Sequence, residues 1–185
     1  VERSRGRGDV YNRQPIVNAI NNGLNANNIS KFMGILNGTS NFILTKMTRE
    51  QTSFEDALDE AQRLGFAEAD PTDDVEGVDA ARKVVITSYL SFNQVIKLND
   101  VKLTGISGTT LSDINAADQL GFKIKLIGKG TYENGHVHAS VEPTLIHKSH
   151  QLAAVENEYN AIYVIGDAVG DTMFYGKGCL LYTSP

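Results

Sequence analysis

The chain has 185 residues, 41% hydrophobic and 21% charged, a composition that fits one medium globular domain or two small ones and excludes extended disorder. Its 22 acidic side chains outnumber 17 basic ones, giving a net charge of −5, the wrong sign for a nucleic-acid-binding surface. A single cysteine, Cys179, excludes an internal disulfide framework or a cysteine zinc cluster, and no apolar run reaches the roughly 18 residues of a membrane span. The opening residues lack the apolar stretch of a secretory signal, so the expected setting is cytoplasmic, with no membrane or nucleic-acid partner.

Residues 1–15 place Arg3, Arg5, Arg7 and Arg13 among glycine, asparagine and glutamine without apolar periodicity, which reads as a frayed terminus. Ile29 to Leu36 reads as a strand closed by Asn37-Gly38-Thr39-Ser40-Asn41. A short helix is predicted next, capped by Thr39 or Asn41, with Phe42, Ile43, Leu44 and Met47 apolar; Met33 and Met47 read as core fillers. Ser53-Phe54-Glu55-Asp56 resembles a capping box opening a helix whose apolar positions are Phe54, Ala57, Leu58, Ala61 and Leu64, and Gly65 is its natural stop. Asp70-Pro71-Thr72-Asp73-Asp74 opens a further helix with Val78, Ala81, Val85 and Tyr89 as its buried stripe. Thr110 to Leu120 is another helix. Phe122, Ile124 and Leu126 then alternate with Lys123 and Lys125, and the turn Glu133-Asn134-Gly135 leads into a partner strand through Val137, Ala139 and Val141. Ala161 to Ile165 is a strand ended by Gly166-Asp167. Helices first and antiparallel strands later predict an α+β fold, a single mixed β-sheet with helices packed on one face. No strand is followed by G-x-G-x-x-G, so the chain supplies no dinucleotide fingerprint of its own.

Residues 50–79 carry 11 of the 22 acidic side chains and only Arg63 to offset them. This is either a solvated helical face or a carboxylate-lined pocket for a ligand with an ammonium group. Asp79 and Lys83 stand four apart and Glu76 seven before Lys83, one stripe on a continuous helix. As a plain surface ion pair this is worth about 0.3–0.5 kcal/mol. Gly77 costs a helix about 1 kcal/mol relative to alanine, which points to a close approach beside the stripe. The Phe66–Thr72 connection delivers more carboxylates to the same end. His136 and His138 share a strand face without a third ligand and read as surface residues, so no metal site is expected; Cys179 lies beside no activating group.

The stretch from Ala61 to Lys83, including Gly65-Phe66-Ala67-Glu68-Ala69-Asp70-Pro71 and Asp79-Ala80-Ala81-Arg82-Lys83, resembles the signature of the homoserine dehydrogenases. Gly34-Ile35-Leu36-Asn37-Gly38-Thr39-Ser40-Asn41-Phe42 and Asn160-Ala161-Ile162-Tyr163-Val164-Ile165-Gly166-Asp167 continue the resemblance, which spans about residues 16–178. It implies NADH- or NADPH-dependent reduction of L-aspartate 4-semialdehyde to L-homoserine, on the way to threonine and methionine, in a homodimer formed through the sheet.

Residue by residue, the resemblance assigns Glu68 and Asp79 to the substrate's amino-acid end and hydroxyl region, and Asp74 to the same acidic pocket. Gly38 and Thr39 match the loop that touches substrate, and Lys83 the lysine of proton transfer, with Asp79 beside it. Gly176 and Gly178 fall in the family's glycine-rich turn near the nicotinamide, although Gly178-Cys179-Leu180 departs from it. Residues 1–15 and 179–185 are expected to be atypical ends flanking a substrate and dimerisation domain. The family's nucleotide-binding domain lies outside these 185 residues, so the isolated chain is expected to be inactive. The alternative is a non-catalytic dimerising remnant that binds a small amino acid without hydride transfer.

Overall fold

The computed structural model describes residues 27–177. Strand β1 (Ile29–Ile35) leads directly into helix α1 (Gly38–Glu50), followed by α2 (Phe54–Arg63), the single turn α3 (Thr72–Val75) and α4 (Val78–Phe92). After these come β2 (Val101–Leu103), α5 (Leu111–Gln119), β3 (Phe122–Glu133), β4 (His136–His147), β5 (Tyr159–Gly166) and β6 (Gly170–Lys177). The six strands form one sheet in the order β2-β4-β3-β1-β5-β6. All pairings are antiparallel except β2 with β4, so the sheet is mixed and the fold is α+β.

Local chemistry accounts for the element ends. Ser53 caps α2 by accepting the Asp56 N–H at 3.1 Å, and Thr110 caps α5 in a reciprocal box with Asp113. Asn134 and Gly135 both have positive φ, 52° and 81°, the two-residue turn that matches strand twist and sets the twelve-pair register of β3 against β4.

The two sheet faces are covered differently. Phe32, Leu126, Val141, Ile162 and Val164 point toward the helices and pack with Phe42, Ile43, Met47, Ala81 and Val84. Ile35, Ile127, Ile146 and Ala161 point the other way, where Leu152 and Ala153 of the 3₁₀ segment Gln151–Ala154, and Val155 just after it, cover them. Both faces are thus desolvated around the end of β1, where the chain passes into α1.

Four expectations need correction. Helix α1 is not short, and its cap is neither Thr39 nor Asn41: Asn37, in extended conformation, accepts the Ser40 N–H at 2.8 Å. The helix expected from Asp70 onward is two helices. Gly77 lies between them at φ 78°, and a Cβ there would meet Val141 and Leu103 at 3.1 and 3.2 Å. Its small size therefore serves a left-handed joint pressed onto the sheet, not a ligand beside an acidic stripe, and the joint takes Glu76 out of line with Asp79 and Lys83.

The buried face of α4 is also rotated. Ala80, Ala81, Val84, Thr87, Ser88 and Phe92 are inside, whereas Tyr89 is half exposed. Phe92 stacks on Phe32 with ring centroids 5.7 Å apart, and Thr87 is tolerated because its hydroxyl bonds the Lys83 carbonyl at 2.8 Å. Finally, Lys125 faces away from the helices as alternation requires, but it is 2% exposed. Met47 is fully buried, while Met33 is only partly covered, on the opposite face. Residues 1–15, Gly178 and Cys179 lie outside the described residues.

Candidate active site

The end of β1 is the organising point. Asn37 is buried, and capping α1 uses only its side-chain oxygen, leaving its NH2 group to be satisfied elsewhere. It donates to Asp74 Oδ1 at 2.6 Å and to Asp79 Oδ2 at 2.9 Å. One amide therefore gathers a carboxylate from α3 and another from the first turn of α4 at the N-terminus of α1. Lys83, one turn along α4, donates to the same Asp79 Oδ2 at 2.7 Å and to the Leu36 carbonyl at 2.8 Å. An ammonium has three N–H groups, and the third has no acceptor among the described residues. Lys83 and Asp79 keep 23% and 31% of their side-chain surface exposed, so this is a fixed pair at the edge of the core, still reachable from solvent.

Asp74 is the electrostatically strained member. Burial is the main reason its carboxyl is held above the ordinary range, and the charge of Asp79 adds to it. The Asn37 amide and the Lys83 ammonium partly offset these effects. A half-desolvated carboxylate beside a second carboxylate favours a cation, such as the ammonium of an amino acid, as its missing partner.

Thr39 belongs to this cluster through backbone. Its hydroxyl donates to the Phe66 carbonyl at 2.6 Å, tying the first turn of α1 to the connection after α2. Phe66 and Phe42 pack with centroids 4.7 Å apart. Glu68, two residues on, is exposed and makes no side-chain hydrogen bond or ion pair among the described residues. Gly38 is hemmed in by β5: a Cβ would sit 2.7 Å from the Glu158 carbonyl oxygen and 3.6 Å from Asn160 Oδ1. That Asn160 oxygen is buried without a partner, and Asn160 pairs with Gly176 on β6. Gly176 is open, with nothing within 4 Å of the position of a Cβ. The structure thus brings together Thr39, Asp74, Asp79 and Lys83, sets Gly38 beside them, and links Gly176 through Asn160. Glu68 stays outside the bonded group.

Asn37 is the residue that sequence reasoning missed as part of the site. The available signal was an asparagine ending a strand directly before Gly-Thr-Ser, a cap position two residues before Thr39 and four before Asn41. Asn37→Ala removes the cap, worth about 1 kcal/mol, and two hydrogen bonds to charged groups of about 1.5 kcal/mol or more each. The expected loss is about 4 kcal/mol in urea unfolding at pH 7. A loss near 1 kcal/mol would show that the carboxylate bonds add nothing to the cap.

Residues 15–179 match the homoserine dehydrogenase family. The homoserine dehydrogenase of Bacillus subtilis is 53% identical over 164 residues, which are 89% of this chain and 38% of that protein. A crystal structure of S. aureus homoserine dehydrogenase is 88% identical with a TM-score of 0.82, over 83% of this chain and 39% of that one. A hyperthermophilic archaeal homoserine dehydrogenase mutant in complex with NADPH is 27% identical with a TM-score of 0.72, over 89% of this chain and 46% of that one. The chain therefore spans less than half the length of these relatives. The carboxylate–lysine cluster at the end of β1, the α+β sheet beneath it and a family match over nearly the whole sequence agree, and the chain belongs to the homoserine dehydrogenase family.

Proposed function

We propose that this chain is the substrate-binding catalytic domain of a homoserine dehydrogenase, reducing L-aspartate 4-semialdehyde to L-homoserine with NADH or NADPH in threonine and methionine synthesis. The observation that carries the reading is Lys83, held by Asp79 and the Leu36 carbonyl with one N–H to spare beside the strained Asp74. Asp74, with Glu68, receives the substrate ammonium, and Gly38 and Thr39 border the bound chain. The nicotinamide supplies the hydride when bound. Gly176 would border it, and the partnerless Asn160 oxygen together with the open space over Gly176 suits a flat carboxamide-bearing ring.

As the aldehyde carbon is reduced, negative charge grows on its oxygen. Lys83 stabilises that charge and delivers the proton that makes the hydroxyl. Asp79 orients the ammonium, and solvent, which reaches the part-exposed Lys83, returns its proton after turnover. The direct test is consumption of L-aspartate 4-semialdehyde with NADH and NADPH by an intact enzyme carrying this segment. Absence of turnover with both cofactors, in a folded protein, contradicts the reading.

The sheet face away from the helices fits the homodimer. Met33, Tyr163 and Met173 stand side by side across β1, β5 and β6, and Tyr175 beyond them is more than half exposed. Sedimentation at micromolar concentration is expected to give a dimer. A single monomeric species contradicts that part.

A further inference from the structure

Lys125 is a buried amine with no role in the chemistry above. It points from β3 to the face covered by the 3₁₀ segment, and its Nζ donates to Asn41 Oδ1 at 2.9 Å and to the Val155 carbonyl at 2.6 Å. Among the described residues no carboxylate pairs with it, because Glu156 is engaged by Lys123 at 2.7 Å and by Arg49. The rest of the Asn41 amide is directed at the same stretch of chain: its NH2 donates to the carbonyls of Val155, Asn157 and Tyr159 at 3.3, 3.0 and 3.1 Å. Thr45 completes the knot by accepting the Asn157 N–H at 3.0 Å and donating to the Asn41 carbonyl at 2.7 Å. Residues 155–159 are therefore bound to the first two turns of α1 through Asn41, and Lys125 braces Asn41 from beneath.

The braced segment is the wall behind the candidate substrate turn. The Glu158 carbonyl closes the space at Gly38 to 2.7 Å from a Cβ position, and one residue on is Thr39. A buried amine without a counter-ion is costly, and an apolar side chain of similar size would fill the volume more cheaply. What an apolar side chain cannot do is join α1 to the Val155 carbonyl.

We infer that Lys125 is a positioning residue for substrate binding: through Asn41 and the Val155 carbonyl it fixes residues 155–159 against Gly38 and so sets the Gly38–Thr39 backbone. This rests on the reading of Gly38 and Thr39 as part of the substrate site. Burial, and the like charges of Lys123 on its own strand and Arg49 on α1, bring the amine down to about 7 against the single opposing charge of Glu156. The neutral form has two N–H groups, which matches the two acceptors present.

By reciprocity, a residue that positions the turn must sense a ligand bound there. The test is an L-homoserine titration of lysine-labelled protein followed by NMR, with the side-chain signals of Lys83 and Lys125 observed together. Both are expected to move along one saturation curve. Movement of Lys83 alone overturns the inference and leaves the site reading intact; movement of neither overturns both. In an intact enzyme, Lys125→Met should raise the KM for homoserine about tenfold, the factor a lost hydrogen bond of ordinary strength gives, with kcat within about threefold. Combining it with Asn41→Ala should raise KM no further than the worse single change, since the two act in series. An unchanged KM in folded Lys125→Met enzyme, or fully additive effects, overturns the inference.

Discussion

Replacing Lys83 by alanine in an intact enzyme carrying this segment should lower kcat about a hundredfold to a thousandfold, the range removed with a general acid, while KM for substrate changes little. The asymmetry follows from when the lysine is needed. Its proton is demanded as the aldehyde oxygen becomes an alkoxide, so the lost interaction is one that strengthens in the transition state. The stability cost should stay near 1 kcal/mol. The variant loses a part-exposed ion pair at 2.7 Å and a hydrogen bond to the Leu36 carbonyl, while Asn37 continues to hold Asp79. Measuring kcat and unfolding midpoint together separates the two roles. A stable variant with near wild-type kcat would mean that Lys83 only pairs with Asp79 and that the proton comes from another group.

The second large effect is on stability and concerns Lys125. Its amine is brought to about 7 in the folded chain, against a model-compound value of 10.5 that the unfolded chain regains. Between those limits the unfolded state binds more protons, so stability rises with pH, by at most about 1.4 kcal/mol per unit from this group. The penalty for burying the amine is fully present below pH 7 and is relieved as pH climbs toward 10.5, on the order of 5 kcal/mol in all. Tyr163, Lys46 and Lys177 are raised by carboxylates hydrogen-bonded to them, and Tyr175 chiefly by burial; all contribute to the same alkaline range, so the comparison must be differential. Urea unfolding of the wild type and of Lys125→Met at pH 7, 8 and 9 should show a positive slope for the wild type that the variant lacks. Parallel slopes would show that Lys125 titrates as an ordinary solvated lysine.

How much of this was legible in the sequence depends on whether a feature is local. The Asn134-Gly135 turn, the Ser53 cap and the alternation along β3 are written in adjacent residues, and the structure has them where the sequence places them. The pairing of Asp79 with Lys83 is likewise a helix repeat, and it stands at 2.7 Å. Features set by distant chain were not legible. Alternation puts Lys125 on the face away from the helices, but only the 3₁₀ segment some 30 residues later makes that face dry. Gly77 reads as a flaw in one helix until Val141 and Leu103 are seen against it. The stripe on α4 was read from hydropathy, which ranked Tyr89 above Thr87 and Ser88, whereas packing against Phe32 decided the rotation. β2 and β6 were not anticipated: one is three residues long and the other depends on pairing with β5 for its place.

Within the site, Asp74, Asp79, Lys83 and Thr39 could be nominated from spacing and family resemblance, but their common partner could not. Asn37 is 37 residues from Asp74 and 42 from Asp79, and a capping asparagine has no sequence mark that says where its NH2 group will point.

Calorimetric titration of L-homoserine into the protein and into its Asp79→Asn variant tests the central claim most directly. That variant keeps shape while removing the charge that Asn37 and Lys83 share. The account predicts saturable one-to-one binding to the wild type and at least tenfold weaker binding to the variant, with both proteins folded. Equal affinity for the two, or no saturable heat with the folded wild type, would contradict the assignment of this carboxylate–lysine cluster as the substrate site.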